Sequence, residues 1–362
     1  MARRLARDHL ALVAQRGTPG RVNRDLVRAL GEDGLVARAF PRWEQPTARA
    51  TVSAVTLAMI REGLAQFSTD AETAFAMQGL GGFPIAAGGS EDVVDRWLGP
   101  IVRGEAVAAF AMSEPEHGSD ATGLQLLAER GDGGYRLTGE KAWISNAPDA
   151  DVYTLFARTT PGDRAQGITA FVLPGDARGL TGESIELVSD HPIGRLHLDG
   201  VFLPDDHVLG EVDRGWDLAT ATFRRFRPSV GAFSVGMGQA ALDATIAYAK
   251  EREQFGRPLR DFQALAHTIA EMATRLEAAR ALVYEATIAV ELGGRDELAS
   301  MAKLFATEQA QWIVDQAVQL HGAKALERGH RLEHLYRDVR GPRIYEGTSE
   351  IQREIIARAL LR

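Results

Sequence analysis

From Gln263 to Leu292 the apolar positions Leu265, Ile269, Met272, Leu276, Ala279, Val283, Ala286 and Val290 step by four and three residues. That is the period of one helix face, sustained for about seven turns. A helix so long with one apolar stripe has to bury that stripe, so this part of the chain reads as a helical bundle. A second long helix is predicted over about 297–321 and a last one over about 350–361.

The texture before the bundle is different. Residues 1 to about 108 read as helices broken by turns. In "DVVDRWLGPIVRG" the residues Val93, Val94, Trp97, Leu98 and Ile101 lie near helical spacing, with Gly104 as a stop. Between about 109 and 215 come "YRLTGEKAWISNA", "DVYTLFART", "GITAFVLP", "TGESIELV" and "LHLDGVFLP". These short aromatic and branched runs, punctuated by Gly, Asp, Asn or Pro, predict strands of a small sandwich or barrel. The order is helices (1–108), strands (109–215), then a helical bundle (216–362).

Composition narrows the function. A net charge of −8 lacks the basic footprint that nucleic-acid binding needs, so no nucleic-acid partner is expected. With no cysteine there is no disulfide, thiolate nucleophile, Cys-ligated zinc or iron–sulfur cluster. No apolar run approaches the ~20 residues that span a bilayer, so no membrane is expected. The Arg-rich start, "MARRLARDHLALVAQRG", lacks the Ser enrichment of a transit peptide and carries Asp8. It reads as a first helix, and the expected location is cytoplasmic.

Two motifs mislead. "GMGQAA" offers Gly236, Gly238 and Ala241 in a GxGxxA pattern, but no strand precedes it and a helix continues through it. Close helix packing is the better reading. "HRLEH" sets His330, Glu333 and His334 at a zinc-protease spacing without third-ligand context, and no metal is expected.

Four other stretches carry chemistry. "AFAMSEPEHGSD" leaves a strand for a turn with Ser113, Gly118 and Ser119; "KAWISNA" sets Trp143 beside Ser145 and Asn146. "EREQFGRPLRDFQ" supplies Arg252, Arg257 and Arg260 with Phe255, charge and apolar surface suited to a phosphate-bearing ligand or to a surface ion-pair network. "YEGTSEIQ" puts Glu346 in a turn ahead of the last helix. Ser349 and Gln352 read as an S-x-x-Q capping box, which starts that helix at about Glu350. Its free N–H groups would suit a pyrophosphate.

Together these stretches resemble the acyl-CoA dehydrogenase family of flavoproteins, from about residue 50 onward and in the family's order. "AMSEPEHGSD" is similar to its TEPxAGSD, "KAWISNA" to its tryptophan motif, "REQFGRPL" to its RxxFGxxL and "YEGTSEIQ" to its catalytic terminus. The resemblance implies an α+β fold with an N-terminal α-helical domain, a central β-sandwich or barrel domain and a C-terminal four-helix bundle. It implies FAD as cofactor, an acyl-CoA or acyl-carrier thioester as substrate and an electron-transfer flavoprotein as acceptor. A homotetramer, or a homodimer, is expected.

By the same resemblance Phe110, Met112, Ser113, Gly118, Ser119, Trp143, Ile144 and Ser145 line the flavin ring. Arg252, Glu253, Gln254, Phe255, Phe262, Gln263, Gln319, Gly322 and Ala323 meet its adenine-diphosphate part. Gly347, Thr348, Ser349 and Glu350 finish the site. Ser119, Arg224, Arg227, Tyr345 and Glu346 are the substrate-side residues, and Glu346 is the implied catalytic base. A thioester α-proton is weakly acidic, so its base must be positioned and strengthened by burial.

Three departures from the family stand out. The N-terminal region lacks its PEEYGG-like turn; "SDHPIGRLHLDG" replaces a flavin-proximal stretch, with Ser189, His191 and Arg195 as possible substitutes; and Gly322-Ala323 replaces a paired Gly. Alternatives on the same fold are an acyl-CoA oxidase, a carrier-linked dehydrogenase, a flavin monooxygenase and a non-enzymatic DNA-binding flavoprotein. Glu346 and the acidic charge speak against the last two.

Overall fold

A computed structural model of the chain describes every residue except Asp163, Asp296 and Arg362. The first third is helical: α1 (Ala2–Leu5), α2 (Ala11–Ala14), α3 (Arg24–Glu32), α4 (Leu35–Ala39), α5 (Ala54–Ala65), α6 (Thr69–Gly88) and α7 (Glu91–Val102). Strands follow: β1 (Ala108–Ala111), β2 (Leu127–Gly131), β3 (Gly134–Ser145), β4 (Val152–Arg158), β5 (Ile168–Pro174), β6 (Leu180–Ser184), β7 (Ile193–Pro204) and β8 (Val208–Leu209). Then come α8 (Gly215–Glu251), the short strands β9 (Glu253–Gln254) and β10 (Arg257–Pro258), α9 (Gln263–Glu291), α10 (Glu297–His321), α11 (Arg331–Asp338) and α12 (Ser349–Leu360). Helices, strands and helices thus succeed one another as the sequence predicts. Two compact units organise these elements: residues 8–53 with 73–223, and residues 1–7 with 54–72 and 224–362.

The first unit is built on an eight-stranded sheet in the order β6-β7-β3-β2-β4-β5-β8, with β1 parallel to β4. β4 and β5 are buried along almost their whole length, which is why their sequences read as unbroken apolar runs. Tyr153, Leu155, Phe171, Leu173, Leu137 and Leu196 form the core of the unit. Gln78, fully buried on α6, pins that helix to the sheet. Its amide donates to the carbonyls of Ile101 (3.1 Å) and Ala106 (2.7 Å) and accepts from the Ala108 N–H (2.8 Å). Ser90 caps α7 by accepting from the Val93 N–H, and Gly104 beyond it has φ +72°, where a glycine is at home.

The second unit is the bundle. The stripe of α9 is buried at Met272, Leu276, Ala279, Val283, Ala286 and Val290, with Ile269 packed at its edge. It meets α8 and α10 through Met237, Ala302, Ile313 and Val314. Gly236 and Gly238 lie inside α8; a Cβ on Gly236 would stand 2.6 Å from Ala65 Cβ and from the Glu62 carbonyl. The GxGxxA pattern therefore serves close packing of α8 on α5. A polar hub ties the same helices. Arg280 of α9 donates to Glu62 (2.9 Å) and Gln239 (2.6 Å), and the Tyr284 hydroxyl donates to Glu62 (2.8 Å).

Candidate active site

In the bundle unit, the turn before α12 is held by its carbonyls. Glu346 and Gly347 both have positive φ, +51° and +86°. Glycine takes that conformation freely, while a glutamate does so at a cost of about 1–2 kcal/mol. Two buried side chains hold the turn there. The Gln352 amide donates to the carbonyls of Glu346 (3.2 Å) and Gly347 (3.0 Å). Lys303, wholly buried on α10, donates its ammonium to the Gly347 carbonyl (2.6 Å). Gln352 therefore does not close the expected capping box. Thr348, not Ser349, is the N-cap of α12; its hydroxyl accepts from the Ile351 N–H (3.3 Å). The helix starts at Ser349, whose Oγ is buried without a hydrogen-bond partner among the described residues.

The Glu346 residue is half-buried, but its Oε2 is shut off from solvent and has no hydrogen-bond partner among the described residues. Burial pushes its carboxyl above the ordinary range, and the charges of Arg61, Arg227 and Lys303 pull it back, in that order. The balance favours a carboxylate that is a stronger base than one in water. Burial also brings the Lys303 ammonium down to about 8, against the pull of Glu346. Tyr345, Gly347 and Thr348 flank the carboxylate in the same turn, and Glu350 is exposed at the start of α12. Arg227 is half-buried and its charge acts on Glu346, whereas Arg224 one turn earlier is exposed. The two arginines therefore do not share one environment.

The sheet unit holds the other motifs. The β3–β7 register slips between Lys141 and Ile144. A bulge of this kind re-aims a side chain. Here Trp143, at φ +60°, turns outward and stays 49% exposed, while Ile144 points into the core. Ser145 meets His191 Nε2 at 2.7 Å, and Asn146 donates to the Ala108 carbonyl at 2.9 Å. Of the three substitutes in the "SDHPIG" stretch, His191 thus reaches a motif residue, while Arg195 pairs outward with Glu183. Phe110 packs on Phe156 and Phe223. Met112 is buried, Ser113 half-buried, and Gly118 and Ser119 exposed.

Sequence reasoning missed what holds this loop. Lys141, wholly buried, donates to the Met112 carbonyl (2.9 Å) and to Glu114 (2.8 Å). Glu114 in turn accepts the N–H groups of Gln125 (2.6 Å) and Leu126 (2.9 Å). Burial lowers the Lys141 ammonium to about 8 while Glu114 supports its charge. The usable signal was a lysine, one of four in the chain, inside an apolar strand.

In the bundle unit, β9 and β10 form a hairpin whose two turn residues, Phe255 and Gly256, have φ +53° and +77°. Two consecutive positive φ values suit a tight hairpin with the strands' own twist. Phe255 at its tip is 93% exposed. Arg257 lies over the Phe262 ring, 4.0 Å from its centroid. Arg252, Glu253, Gln254 and Gln263 are exposed, as are Gln319, Gly322 and Ala323 where α10 ends.

The HxxEH residues have other employment. His330 caps α11 by accepting from the Leu332 N–H; His334 meets Thr69 (2.8 Å) and Asp338 (3.0 Å); Glu333 pairs with Arg337 (2.6 Å).

Family models for the acyl-CoA dehydrogenase N-terminal, middle and C-terminal domains match residues 1–105, 109–201 and 213–361. The cyclohexane-1-carbonyl-CoA dehydrogenase of Geobacter metallireducens is 33% identical over 365 residues, 99% of this chain and 95% of that protein. The CarC subunit of a caffeyl-CoA reductase–Etf complex from Acetobacterium woodii is 38% identical over 291 residues, 78% of this chain and 76% of that protein. The FAD complex of PigA superposes with a TM-score of 0.92 at 29% identity, covering 99% of this chain and 95% of that one. With its three domains matched in order over nearly its whole length, the chain belongs to the acyl-CoA dehydrogenase family of FAD-dependent oxidoreductases.

Proposed function

We propose that the protein dehydrogenates an acyl-CoA to the trans-2-enoyl-CoA, with Glu346 as the base that removes the α-proton. The observation that carries this reading is the Glu346 carboxylate itself. One oxygen is sealed from water without a hydrogen-bond partner among the described residues, and burial raises the carboxyl's proton affinity. A base must be both poised and positioned. Burial supplies the first and the braced turn the second. The α-proton goes to Glu346, the β-hydrogen leaves as hydride, and the bond between the two carbons becomes double.

The residues suit FAD in their donor chemistry. Trp143 offers a half-exposed ring, Ser145 and Ser113 offer hydroxyls, and Arg252, Gln254 and Gln319 are exposed polar groups with Phe255 alongside. We assign Phe110, Met112, Ser113, Trp143, Ile144 and Ser145 to the flavin ring. The Arg252–Gln263 stretch with Gln319, Gly322 and Ala323 is assigned to the diphosphate and adenine, and Gly347–Glu350 completes the set. When bound, FAD supplies the hydride acceptor. Electrons then pass to an electron-transfer flavoprotein, in keeping with the Etf complex of the Acetobacterium relative.

Glu346→Gln tests the reading. The purified variant should keep FAD yet lose about 10²–10⁴-fold in kcat, the usual worth of a general base. Full activity with acyl-CoA would move the base elsewhere. Rapid peroxide formation by the wild type would make it an oxidase.

A further inference from the structure

His191 stands where the sequence departs from the family pattern, and the reading built on Glu346 leaves it unused. It lies in the loop between β6 and β7, with its Nε2 2.7 Å from the Ser145 Oγ at the end of β3. Both residues are half-buried. The backbone on either side of each is tied down. Before His191 the Asp190 carbonyl accepts from the Gly20 N–H (3.2 Å), and after it the Pro192 carbonyl accepts from the Asn146 N–H (2.9 Å). A residue that precedes proline is confined to extended conformations, which leaves His191 little freedom of its own. Ser145 is paired in register with Ile193, and the Asn146 amide beside it donates to the Ala108 carbonyl (2.9 Å).

Side chains alternate along a strand. Ile144 is buried in the core, so Ser145 points away from it, as the half-exposed Trp143 does. The histidine therefore meets the serine on the side that carries the indole. A hydroxyl has one hydrogen, which it turns to suit its neighbours, and a neutral imidazole has one bare nitrogen to accept it. Among the described residues His191 Nε2 is the one side-chain partner of the Ser145 Oγ. A simple tie between the loop and β3 would need no such contact, since the backbone bonds on both flanks already make it.

We propose that His191 is a positioning residue for the flavin: its bare Nε2 takes the Ser145 hydrogen, so that Ser145 turns lone pairs to the ring and favours the reduced form. This rests on the assignment of Ser145 to the flavin ring. Reduction puts a hydrogen on a ring nitrogen that was bare, so an acceptor becomes a donor. A hydroxyl held as an acceptor meets the new N–H and opposes the bare nitrogen that preceded it. Both effects favour reduction. Without His191 the hydroxyl is free to turn its hydrogen to the oxidised ring and to favour that form instead. No proton passes to or from His191; it fixes the direction of one O–H bond.

Redox titration of the FAD-loaded enzyme, without substrate, tests the proposal. His191→Phe removes the acceptor and keeps a flat ring in the loop. It should lower the equilibrium constant for two-electron reduction by up to about ten-fold, the worth of one hydrogen bond. For a two-electron couple that is a midpoint about 30 mV more negative. His191→Gln, whose amide oxygen can accept, should recover part of the shift. In a Ser145→Ala background His191→Phe should move the midpoint no further, because the hydroxyl it acts through is gone. If His191→Phe fails to fold, ¹⁵N NMR of the wild-type holoenzyme decides: His191 Nε2 should be bare. A protonated Nε2, an unmoved or more positive midpoint in His191→Phe, or an equal shift in the Ser145→Ala background would overturn the proposal. The two readings fail separately, since the titration involves no substrate. The expected shift beside a fully active Glu346→Gln removes only the base; an unmoved midpoint beside an inactive Glu346→Gln removes only the His191 assignment.

Discussion

Replacing Gln352 by leucine would test whether the turn is what makes Glu346 useful. The Gln352 amide gives two neutral hydrogen bonds to the turn, together about 2 kcal/mol net. Lys303 adds one charged bond, about 1.5–3 kcal/mol. Against these stands the left-handed conformation of Glu346, about 1–2 kcal/mol. The grip exceeds the strain while both side chains are present. Once the amide is gone only the lysine bond remains, comparable to the strain, so the turn is sampled rather than fixed. A misplacement of about 1 Å can cost roughly 10²-fold in rate. Gln352→Leu should therefore lower kcat about ten- to a hundred-fold, with FAD content and KM little changed. Lys303→Met should lower kcat as well. It also removes a positive charge acting on Glu346, so the acid limb of its pH profile should move to higher pH, while that of Gln352→Leu stays in place. Single-turnover flavin reduction across the pH range, followed optically, separates the two. A Gln352→Leu enzyme with wild-type kcat would refute the bracing argument, and an unmoved acid limb in Lys303→Met would refute the electrostatic one.

Lys141→Met strands Glu114 beside a buried strand. It should cost about 3–5 kcal/mol of stability, the usual penalty for breaking a buried pair, and an unchanged denaturation midpoint would contradict that. His334 is raised to about 9, first by its hydrogen bond to Asp338. A raised histidine stabilises fully below its unfolded pKa of about 6.5 and loses that contribution as pH climbs through the folded value. Thermal stability should thus fall between about pH 6.5 and 9, and His334→Gln should flatten the decline. A slope equally steep in that variant would assign it to other groups.

Periodicity made the long helices legible. The stripe from Leu265 to Val290 and the second helix at 297–321 appear where regular spacing put them. Local chemistry was legible less surely. Thr348 and Ser349 are both good caps on adjacent positions, and the choice fell to Thr348 because Gln352 is drawn to carbonyls of the turn instead. Spacing along one strand could not show Trp143 facing outward, because a slip against β7 re-aims it. Buried charges were least visible. Lys141 finds Glu114 27 residues away, and Arg61 finds Ser229 168 residues away. No window of sequence holds both ends of such a pair.

The hub on α5 bears on how the protein is made. Glu62 leaves the ribosome 218 residues before Arg280 and 222 before Tyr284, the two groups that satisfy it. At translation speeds of about 5–20 residues per second, that is a wait of about 10–45 s. During that time α5 carries its charges and its apolar face with no bundle to receive either. The bundle unit, which joins residues 54–72 to 224–362, therefore closes only after α8, α9 and the helices that follow them have been made.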